Sequence, residues 1–67
     1  MKIRFVKNIT VDVEKNRLGE VWDKYFTRWD ELIIENIHYI GNSADLVTYE
    51  GDVVLNVPID SFEIINK

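Results

Sequence analysis

The sequence predicts an all-β domain: a small barrel of five to six antiparallel strands with one 3-10 turn near residues 58–62. Two patterns carry that prediction. Apolar residues recur with period two at the N-terminus, the mark of a strand with one buried face. Further on, runs rich in Val, Ile and aromatic residues are cut at short intervals by Gly, Asn and Pro, which is the punctuation of hairpins. A chain of 67 residues forms one domain, residues 1–67, and is too short for a second.

Ile3, Phe5, Ile9, Val11 and Val13 share one parity, with Lys2, Arg4, Thr10 and Asp12 on the other. Lys7 alone breaks the apolar set, so a long strand bent near Lys7-Asn8 is expected. Turn chemistry follows over Glu14–Gly19, where Asn16 and Gly19 accept positive φ. Residues 17–29 allow two foldings. Leu18, Val21, Trp22, Tyr25, Phe26, Trp29, Leu32 and Ile33 fall at helical spacing, and Asn16 can cap such a helix. The result would be an α+β domain of βαβββ order. Against that, the segment has no Ala, carries Gly19 in its first turn and is crowded with aromatics, which favour strands. A hairpin arm over Glu20–Phe26, returning along the first strand, is preferred. Trp22, Lys24 and Phe26 would then face one way, and Val21, Asp23 and Tyr25 the other.

Beyond Trp29, Leu32–Ile40 is β-branched, Gly41-Asn42-Ser43 is a turn and Ala44–Tyr49 a strand. Glu50-Gly51-Asp52 makes a tight connection to a strand over Val53–Val57, with Val53, Leu55 and Val57 expected on one face. Pro58 has no amide hydrogen to give a ladder and ends the pairing. Ile59-Asp60-Ser61 suits one helical turn, and Phe62–Ile65 a closing strand. This order of tight hairpin, proline, 3-10 turn, aromatic and closing strand resembles the Src-homology-3 (SH3-like) type of small β-barrel, mainly over residues 29–65. Trp29-Asp30-Glu31-Leu32 stands where that family has its diverging turn. The resemblance implies a barrel, and one barrel hosts many functions. Signalling members bind proline-rich peptides through aromatics, including a tyrosine in the 3-10 turn. Here Phe62 stands one residue late, and Ala44-Asp45 replace the paired tryptophans, so proline-peptide binding is not implied.

Apolar residues make up 46% of the chain and eight of its residues are aromatic, enough to bury a core and incompatible with disorder. There is no cysteine, which removes disulfides, thiolate metal sites and cysteine nucleophiles together. The longest uninterrupted apolar run in the central segment, Leu32-Ile33-Ile34, ends at Glu35. It can supply neither a membrane span nor a signal-peptide core. A chain that opens on Met1 without a tag is expected to be a complete small cytoplasmic gene product. Its net charge of −4 is unevenly spread. Residues 1–29 hold seven basic residues against four acids, and residues 30–67 hold eight acids against Lys67 alone. Either basic and acidic strands neutralise each other across a sheet, or an acidic face is left for a basic partner.

No catalytic constellation is legible. His38 is the single histidine, Ser43 and Ser61 lie in turns without a second motif element, and Gly19, Gly41 and Gly51 are isolated. No enzyme activity, metal or cofactor is expected, and an acidic chain is a poor nucleic-acid binder. The surplus lies in the aromatics. A barrel this small cannot bury all eight, and Trp22, Tyr25, Trp29, Tyr39 and Tyr49 are the rings expected outside. The leading expectation is a non-enzymatic interaction domain that binds a protein partner, basic in character. Trp22, Tyr25 and Trp29 would supply contact area, and Asp23, Asp30 and Glu31 would select charge. Two alternatives are a small acidic inhibitor of the phage or mobile-element kind, blocking a nucleic-acid site on its partner, and an accessory subunit of a larger complex.

Overall fold

The N-terminal alternation becomes strand in two pieces that belong to different sheets. The computed structural model describes residues 1–16 and 19–67. It contains eight strands, β1 (Lys2–Phe5), β2 (Ile9–Lys15), β3 (Glu20–Phe26), β4 (Glu31–Ile33), β5 (Asn36–Ile40), β6 (Ser43–Val47), β7 (Val53–Pro58) and β8 (Phe62–Asn66), with a 3-10 turn at Ile59–Ser61. All pairings are antiparallel, in a three-stranded sheet of order β4-β1-β8 and a five-stranded sheet of order β3-β2-β7-β6-β5. The fold is all-β with its 3-10 turn where the sequence puts it, compatible with a small barrel. No described helix is long and apolar enough to cross a membrane.

The eight segments are six expected strands, two of them broken. The first breaks at Val6-Lys7-Asn8, where local partners replace the ladder. The Val6 amide donates to the Ser61 carbonyl at 2.8 Å, the Asn8 side chain accepts from the Arg28 amide at 2.7 Å, and Lys7 reaches Asp60 at 2.8 Å. The second breaks at Ile34-Glu35, where Ile34 is fully buried. There the Ile34 amide donates to the Met1 carbonyl and the Glu35 amide to that of Val47.

Glu20–Phe26 is strand β3, paired with β2 over seven residues from Ile9↔Phe26 to Lys15↔Glu20 without a bulge. The helix over 17–29 is therefore not formed. Aromatic and β-branched side chains gain more from pairing along Val11 and Val13 than from an isolated helix with Gly19 in its first turn. Asn16 and Gly19 both have positive φ, 51° and 78°, as the turn requires; residues 17 and 18 of that turn lie outside the described residues.

One face of β7 departs from expectation. Val54 and Val57 are buried, while Val53 and Leu55 lie half-buried on the other side. The register shifts between Ala44 and Leu46, setting Leu55 and Asn56 against the single residue Asp45. Asn56 has a φ of 52°, and its amide donates to the Asp45 carboxylate at 3.0 Å. This bulge reverses the parity of the strand and returns Val57 to the core.

The sheets meet through a core of Ile3, Phe5, Val11, Val13, Phe26, Ile34, Ala44, Leu46, Val54, Val57 and Phe62. Phe5 of β1 stacks on Phe26 of β3, centroids 4.3 Å apart and planes 15° from parallel. The pair holds one sheet to the other. All three phenylalanines are buried. Trp22, Tyr25, Trp29, Tyr39 and Tyr49 are all exposed, as expected from the surplus.

Candidate interaction surface

The six residues expected to bind a partner do not gather on one surface. Trp22, Tyr25 and Trp29 are 60%, 57% and 54% exposed, but they point in different directions. Across the β2–β3 ladder, residues directly opposite share a face. Trp22 stands opposite Val13, on the core-facing side of the edge strand, yet is exposed; Tyr25 and Asp23 stand opposite Thr10 and Asp12, on the outer side. Trp29 lies in the connection to β4 with a φ of 77°. The Arg28 and Arg4 guanidinium carbons sit 4.5 and 5.3 Å from its ring centroid. Its surroundings are basic rather than acidic.

The two remaining acids have structural partners. The Asp30 carboxylate accepts from the Thr27 amide at 2.8 Å and its own amide donates to the Thr27 carbonyl at 3.0 Å, closing the turn that carries Trp29. Glu31 lies opposite Arg4 in the three-stranded sheet and approaches the Lys2 ammonium at 3.5 Å.

Register collects a different group on the outer face of the five-stranded sheet. One row crosses it as Asp23, Asp12 and Leu55, and continues past the bulge to Asp45 and His38. The next row is Val21, Glu14, Val53, Val47 and Asn36. Among the described residues, no lysine or arginine occupies a strand position on this face. Asp12 and Asp23 are directly opposed like charges. The hydrogen bond between their side chains, helped by partial desolvation and by the charge of Asp23, lifts the Asp12 carboxyl above its ordinary value. Val47, Val53 and Leu55 are half-buried among these acids, and Val21 and Tyr25 are exposed at the β3 edge. The face offers negative charge, an apolar strip and an aromatic rim.

Four acids elsewhere, Glu31, Glu63, Asp60 and Asp52, are paired with cations. Arg4 lies between Glu31 and Glu63 in register and binds Glu63 through Nε at 3.1 Å. Asp60 is paired with Lys7, and Asp52 with Lys15 at 2.9 Å. Both carboxyls fall below the ordinary aspartate value, each first because of the hydrogen bond from its lysine and, for Asp52, also that from the Asn16 amide.

Asp12, Glu14 and Asp45 are members of the surface that the sequence did not single out. Asp12 and Glu14 were legible as the polar parity of a strand whose other parity is apolar; what was missing was the identity of the strands beside it. Compared with known families, curated proteins and solved structures, the chain matches none of them.

Proposed function

We propose that this chain is a non-enzymatic protein-interaction domain that docks a basic surface of another protein against the outer face of its five-stranded sheet. One observation carries the proposal: Asp12, Asp23, Asp45 and Glu14 share a face on which no described strand residue is a lysine or arginine. Uncompensated charge of one sign raises the encounter rate with an opposite surface and penalises like-charged partners. Leu55, Val53 and Val47 supply apolar contact, with Tyr25 as an aromatic anchor at the rim. The same field repels phosphate, so nucleic acid is disfavoured as a direct ligand. An SH3-like barrel is the architecture that the strand order supports. The first strand lies between the last strand and a short strand after a turn, β5-β6-β7 form a meander, and a 3-10 turn precedes closure.

The test is affinity capture from the source lysate at low and high salt, with wild type beside Asp12→Asn/Asp23→Asn. The expected outcome is a stoichiometric protein that wild type retains at low salt, that high salt releases, and that the variant fails to retain. Loss of the partner on addition of DNA would narrow the function to an acidic inhibitor occupying a nucleic-acid site. A partner retained equally by the variant sinks the proposal.

A further inference from the structure

Strand β3 ends the five-stranded sheet. Among the described residues it pairs with β2 alone, and its other edge is free along seven residues. Proteins blunt such edges with proline, bulges, short strands or charged side chains, and the charges of β3, Glu20, Asp23 and Lys24, are of both signs. β3 has no proline, its ladder to β2 has no bulge, and it is as long as any strand in the molecule. Val21, Trp22 and Tyr25 are exposed along it. A regular edge with exposed apolar side chains on both faces is a template for another strand.

The charges along β3 select the occupant. Two copies of one strand pairing antiparallel about a two-fold axis perpendicular to the sheet must centre on a residue. Centring on Asp23 would line up Asp12, Asp23 and the same two residues of the second copy, four carboxylates in one row. Centring on Lys24 opposes two lysines. Centring on Trp22 sets Glu20 opposite Lys24 of the second copy, twice by symmetry, and Val21 opposite Asp23. The two Trp22 rings then meet on the axis. Opposite charges and aromatic pairs directly across a ladder are the stabilising combinations, and like charges the destabilising ones.

The surroundings extend this complementarity. Lys15 lies across from Glu20 and is itself bound to Asp52 at 2.9 Å. The core-facing row across the junction would therefore run Asp52, Lys15, Glu20 and Lys24 of the second copy, with signs alternating throughout. Beside Trp22 lies an open cavity of about 350 Å³ lined by Val13, Lys15, Asp23 and Lys24. The opposite edge strand, β5, is two residues shorter (five against seven) and carries no pair of opposite charges to set a register.

We propose that two copies of this chain associate edge to edge through β3, centred on Trp22, into one continuous ten-stranded sheet (two sheets of five strands). A perpendicular two-fold axis leaves both acidic faces on the same side, so the dimer presents the surface twice. This dimer stands or falls independently of the basic partner, because its evidence is the edge and not the face.

Sedimentation velocity at increasing concentration and moderate salt tests it, with circular dichroism to confirm that each variant keeps its β spectrum. Wild type is expected to reach twice the 7.9 kDa mass of one chain. Glu20→Lys places two lysines opposite each other and Lys24→Glu two glutamates, so each alone is expected to remain at the mass of one chain. Mixing the two variants one to one restores both opposite-charge pairs and is expected to restore the dimer, as is the double swap Glu20→Lys/Lys24→Glu. Wild type that stays monomeric at millimolar concentration overturns the proposal. So do single variants that still dimerise, which would place the interface at another edge, and folded variants whose mixture stays monomeric.

Discussion

On the outer face of the three-stranded sheet, Arg4 stands between Glu31 and Glu63, and Lys2 reaches Glu31. On the outer face of the five-stranded sheet, Asp12 stands opposite Asp23, with Glu14 and Asp45 nearby and no strand lysine or arginine among the described residues. Both faces are built from the same N-terminal stretch, one from its first four strand residues and the other from its next seven. The contrast shows that the uneven charge of the sequence resolves in both of the ways it allows. Basic and acidic strands do lie side by side in one sheet, and an uncompensated acidic face does exist on the other. The neutral face has little electrostatic reason to attract a partner.

The contrast depends on both sheets being held in one body, and the Phe5–Phe26 stack is where it breaks most completely. Phe5→Ala is expected to cost about 3–5 kcal/mol, a large share of the roughly 5–15 kcal/mol that stabilises a small domain. A loss of unfolding free energy in urea far smaller than this would show that other core residues join the sheets.

A smaller effect sharpens the neutral side. In a double-mutant cycle of Arg4→Ala and Glu63→Ala, the coupling is expected to be stabilising but below about 1 kcal/mol, as for partly exposed pairs. It should shrink as salt is added. A coupling that salt leaves unchanged would mean that the pair acts through packing.

The smallest effect is one of slope with pH. The raised Asp12 carboxyl binds its proton more tightly folded than unfolded, so its contribution to stability is present in acid and is lost as pH rises through the raised value. Asp12→Asn should therefore stabilise at neutral pH, and the gain should fade on acidification. Asp60 is the mirror case. Its lowered carboxyl contributes above the ordinary aspartate value and loses that contribution as pH falls through the lowered one. Lys7→Gln should therefore destabilise at neutral pH, with the loss fading in acid. Denaturation across the acid range should give differences of opposite sign; matching signs would place Asp12 outside a repulsive pair.

Much of this was legible locally. The alternation from Ile3 to Val13, the turn residues at Asn16, Gly19, Gly41 and Gly51, and the proline before a 3-10 turn are short-range signals, and each element formed where they stand. The five rings expected outside the core are outside it, because the count of aromatics exceeds what so small an interior can hold. The grouping of the candidate site was not legible. Trp22, Tyr25 and Trp29 lie close in sequence, but strand pleating sends the first two to opposite faces and the left-handed turn at Trp29 turns the third toward Arg4 and Arg28.

By itself the sequence determined the fold class, the placing of its turns and the parity of the N-terminal strands, since these follow from side-chain period and backbone preference within a few residues. Tertiary structure decided which sheet each half of the first strand joins, and which carboxylates become neighbours. Asp12, Asp23 and Asp45 are far apart in the chain and meet only because β3, β2, β7 and β6 align in that order. The bulge at Asn56, whose parity change no local pattern announces, lets Leu55 and Val57 face opposite sides of one strand. Pairing between distant strands is a property of the whole packed molecule, and the charge pattern of a sheet face is inherited from it.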